Sequence, residues 1–136
     1  MKLTNPHELP GEAVLLHKIE SEIANVFFYD SLVIVEGKPD AKVNYKTGFS
    51  LLVKGVNYID HKPWVYISNR IHSYKPNVSH FKYLQLAPFL KGVAIVSLEQ
   101  DEDNAQQLGG KYFKRPFKVF KELSEAYLWA QELLLK

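Results

Sequence analysis

The residues best equipped for chemistry in this 136-residue chain lie in one short stretch, where Ser68, Asn69, Arg70, His72, Ser73 and Tyr74 follow one another closely. Arg70 is one of two arginines in a chain that otherwise uses lysine. Its guanidinium offers a planar fork of donors that fits a carboxylate or a phosphate, which a lysine ammonium does not. The serines, the asparagine and the tyrosine add hydroxyl and amide groups beside an imidazole. Such a set reads as a recognition surface for a protein partner. The alternative reading is a small-molecule site holding an anionic or lipid-like ligand near Arg70. Against both stands a structural role, with Asn69 and Ser73 shaping a turn and Arg70 meeting a surface carboxylate.

Other chemistries find less support. Cysteine is absent, which removes disulfides, thiolate nucleophiles and Cys-based zinc sites. His61, His72 and His80 share a segment with no acidic residue to complete a ligand set, so no metal is expected. No serine sits in a G-x-S-x-G elbow, and no nearby carboxylate would orient a histidine. Asp101, Glu102 and Asp103 read as the acidic start of a helix rather than a catalytic pair. Gly109-Gly110-Lys111 is the closest approach to a phosphate loop, but it follows a helical pattern instead of joining a strand to a helix. The expectation is a non-enzymatic protein with no cofactor.

The charge total, 17 basic against 15 acidic residues for +2, hides an uneven distribution. Residues 61–98 contain no Asp or Glu, yet hold Lys62, Arg70, Lys75, Lys82 and Lys91. A nucleic-acid surface would need these together with Trp64, Tyr66, Tyr74, Phe81 and Tyr83. The lysines are isolated, and Trp64 and Tyr66 are expected on opposite faces of a strand, so no nucleic-acid partner is expected. The first residues lack the apolar core of a signal peptide, and no apolar run approaches the roughly 18 residues of a spanning helix. A cytoplasmic chain without a membrane span is the expectation.

The elements that must position residues 68–74 follow from periodicity. After an irregular lead-in over residues 1–12, apolar runs at 13–19, 25–29 and 32–36 predict an antiparallel meander turning at Asp30-Ser31. Ala41, Tyr45, Phe49, Leu52, Val56 and Ile59 carry the spacing of an amphipathic helix. A strand at 64–67, a loop at 68–77 and a helix at 79–86 follow. A buried strand at 93–98, introduced by Gly92, leads to a helix from Asp101 toward Gly109. The chain ends with a strand at 117–120 and a helix capped by Ser124, with Tyr127, Ala130 and Leu134 on one face. Strands alternating with helices imply parallel crossovers, and hence a single α/β domain over residues 1–136 with a mixed sheet and a parallel core. Strand edges and the aromatic last helix, with Tyr127 and Trp129, would suit a homodimer.

Three stretches carry a family resemblance: WVYISNRIHSY at 64–74, GVAIVS at 92–97, and KRPFKVFKELSEA at 114–126. In these, and in element order over about residues 14–135, the chain resembles the small bacterial SpoIIAA-like, or STAS-like, proteins. The resemblance implies a β-α superhelix and a regulatory role, binding a partner protein, often an anti-sigma kinase, or a small ligand. It also places the family's phosphorylated serine, in a D-x-S-G motif, within residues 68–73. Here this chain departs from the pattern, since no Asp stands two residues before Ser68 or Ser73 and no Gly follows either.

Overall fold

Runs of β-branched and aromatic residues between turn formers produce six strands. The computed structural model describes residues 15–20, 24–29, 31–37, 62–69, 89–96 and 115–135. The strands are β1 (Leu15–Glu20), β2 (Ala24–Tyr29), β3 (Leu32–Gly37), β4 (Trp64–Asn69), β5 (Leu90–Val96) and β6 (Phe117–Phe120), and they are followed by a helix, α1 (Leu123–Leu135). They form one sheet in sequential order. The pairs β1–β2 and β2–β3 are antiparallel, whereas β3–β4, β4–β5 and β5–β6 are parallel. This is a mixed α/β sheet with the meander and parallel core that the periodicity implies. The segments joining the parallel strands are all longer than the dozen or so residues such a connection needs. The lead-in and the helices expected at 41–59, 79–86 and 101–109 lie outside the described residues.

Alternation of side chains divides the core in two. Phe27, Tyr29, Leu32, Ile34, Val65 and Ile67 line one face together with Ala126 and Ala130 of α1, which makes this the helix face. Val26, Phe28, Val33, Trp64, Val93 and Ile95 line the far face. Trp64 and Tyr66 both belong to the far face, contrary to the expectation that they part. Residues two apart on a regular strand point the same way. β4 is buried along nearly its whole length, as a strand enclosed on both faces and both edges must be.

Two irregularities tune this frame. On β1, Leu15 pairs with Tyr29 but His17 pairs with Phe28, so Leu16 is the extra residue and stands exposed. On β5, Trp64 pairs with Leu90 but Val65 pairs with Gly92, which leaves Lys91 turned outward. The Leu90 carbonyl, beside this bulge, accepts a hydrogen bond from Arg115 Nη1 at 3.0 Å. Gly92 therefore lies inside β5 rather than ahead of it. A Cβ there would stand 2.7 Å from Leu133 Cδ1, 3.0 Å from the Pro116 carbonyl oxygen and 3.2 Å from the Trp129 ring.

That close approach seats α1 against β5, β4 and β6. The small Ala126 and Ala130 face the sheet, and Trp129 packs on Phe120 with ring centroids 5.6 Å apart. Tyr127 and Trp129 are thus half-buried against the core, and the fully outward large side chains of α1 are Leu128 and Leu135. The Glu122 carbonyl accepts the Ala126 N–H at 3.3 Å. Ser124 consequently sits in the first turn, and the capping position belongs to Glu122. Among the described residues, no helix is long and apolar enough to cross a membrane.

Candidate functional site

β4 does not stop at Ile67. It continues through Ser68 and Asn69, which the sequence reading assigned to a loop, and both are buried at 7% and 9% exposure. The polar residues stay in the strand because the sheet gives them partners. The Asn69 amide donates from Nδ2 to Glu36 Oε2 at 2.8 Å, across to the adjacent end of β3. This bond falls one step beyond the last paired residues, Val35 and Ser68. Ser68 and Asn69 are neighbours in sequence, but strand alternation sends them to opposite faces. Asn69 follows Val65 and Ile67 on the helix face, and Ser68 follows Trp64 and Tyr66 on the far face. Arg70, His72, Ser73 and Tyr74 lie outside the described residues, and the structure does not test their part in the site.

Three residues that the sequence alone did not single out, Glu20, Asn25 and Glu36, belong here. Asn25 of β2 pairs with Glu36 of β3 on one side and with Glu20 of β1 on the other. Glu20, Asn25, Glu36 and Asn69 therefore form a polar row across four strands, on the helix face, at the end where β3 and β4 finish. Every row below it in β2, β3 and β4 on that face is apolar or aromatic: Phe27, Ile34 and Ile67, then Tyr29, Leu32 and Val65. Asn25 Oδ1 is buried and has no hydrogen-bond partner among the described residues. A buried acceptor left unpaired costs about 1–3 kcal/mol, so the position is held at the expense of stability. Glu20 is bridged by Lys18 at 2.8 Å, and the Lys18 ammonium also lies 5.2 Å from the centroid of the Phe27 ring. A signal for the row existed in the sequence, because counting outward from the Asp30-Ser31 turn sets Asn25 opposite Glu36.

The row reaches into the core through Tyr29. Burial in the apolar helix face, reinforced by the negative charge of Glu36, pushes the Tyr29 hydroxyl up to about 12 from its ordinary value of 10.0. The phenol accordingly stays neutral at any physiological pH. Among the described residues, no group of three or more His, Cys, Asp or Glu side chains is placed to hold a metal ion.

In open α/β sheets, ligands gather at the carboxyl ends of the strands. In doubly wound sheets the crevice opens where strand order reverses. Here the order runs β1 to β6 without reversal. What the site can do therefore follows from its side chains: the carboxylates and the Asn25 oxygen accept hydrogen bonds, and the amide nitrogens donate them. Compared with protein-family models, curated proteins and solved structures, the chain matches none of them.

Proposed function

We propose that this chain is a non-enzymatic regulatory or interaction module of STAS type. On this reading it binds a protein partner at the end of the sheet where β3 and β4 finish, through Asn25, Glu36 and Asn69 together with the loop residues Arg70 to Tyr74. The observation that carries the proposal is the polar row itself, with a buried acceptor on Asn25 that nothing among the described residues satisfies. Such an orphan in an otherwise apolar face is better explained by recognition than by folding. The sequential strand order with three parallel steps supports the STAS-type reading, because a β-α superhelix would lay its strands down in this order. A carboxylate bonded to Asn69 favours a partner that presents N–H donors over an anionic ligand beside the same residue.

The test is affinity capture of the partner from the source lysate by the wild-type chain and by Glu36→Gln, Arg70→Ala and Tyr74→Ala. The expected result is loss of the same captured protein with each variant while the thermal melt is retained. Capture that survives all three substitutions would remove this end of the sheet from the proposal. A thermal-shift screen against anionic metabolites and fatty acids tests the small-ligand alternative. A ligand at about 100 times its Kd stabilises by about 2.7 kcal/mol, and such a shift that disappears in Arg70→Ala would favour the alternative.

A further inference from the structure

We draw no further inference here: the strongest candidate, the surface patch at the end of the sheet where the parallel strands start, with Leu16, Phe89 and Leu135 exposed, carries nothing because nothing among the described residues shows what covers it.

Discussion

Asn25 shows how a single residue can separate stability from function. Its Oδ1 is buried without a partner among the described residues, at a strand position where β-branched residues fit well. Asn25→Val removes the unsatisfied acceptor and adds β-propensity. The expected outcome is a gain of about 1–2 kcal/mol in urea unfolding, together with weaker partner capture. Loss of stability would mean that the amide is satisfied in solution. Tyr29 gives a second prediction. Its folded pKa, about 12, lies above the ordinary 10.0, so the native state holds a proton that the unfolded chain has released. The stabilisation is complete below pH 10 and is lost as pH rises toward 12. At 1.36 kcal/mol per unit, the loss is on the order of 2–3 kcal/mol. Absorbance titration should show a late-titrating component that Tyr29→Phe removes, and stability of the variant should fall less over that pH window. A full set of tyrosines titrating near 10 would contradict the burial argument.

At the scale of elements, the strands were legible because each is a short apolar run between turn formers. Their ends were not, because a strand end depends on partners that the local sequence does not display. Asn69 reads as a loop residue until Glu36 is seen 2.8 Å away. Ser124 reads as a cap, but the first helical bond goes to the Glu122 carbonyl. Gly92 reads as the residue that leads into a strand, whereas it lies inside β5 so that α1 can approach. Gly92→Ala tests that account. The Leu133 terminus could turn aside from the new Cβ, but the Pro116 carbonyl oxygen cannot, because the Val93 N–H fixes it at 2.9 Å. The expected cost is about 1–3 kcal/mol by chemical denaturation, as for overpacking of a filled interior. The disturbance should be read by Trp129 fluorescence, since its ring lies 3.2 Å from the same point. A neutral or stabilising alanine would show that α1 can lift from β5 at no cost.

At the scale of the whole molecule, the described charged residues divide between the two ends of the sheet. Glu20, Glu36, Glu122 and Glu125, with Lys121, belong to the end where the parallel strands finish, and Lys62, Lys91, Arg115 and Glu132 to the end where they start. β4 spans six residues, so at about 3.3 Å per residue the ends are on the order of 20 Å apart. That is more than twice the Debye length of about 8 Å at physiological salt. Charges at one end are therefore screened from a ligand at the other, and the two surfaces should act independently. Glu36→Gln is expected to weaken partner capture, whereas Gly92→Ala, near the other end, is expected to leave it as in the wild type. In the double variant the two effects on stability should add, with any coupling within about 0.5 kcal/mol, the limit for distant sites. A larger coupling, persisting when salt is raised, could not be electrostatic. It would require the sheet to transmit a rearrangement from one end to the other, and β4, bonded at one end through Asn69 and at the other through the Trp64 N–H, would be the path to examine by hydrogen exchange.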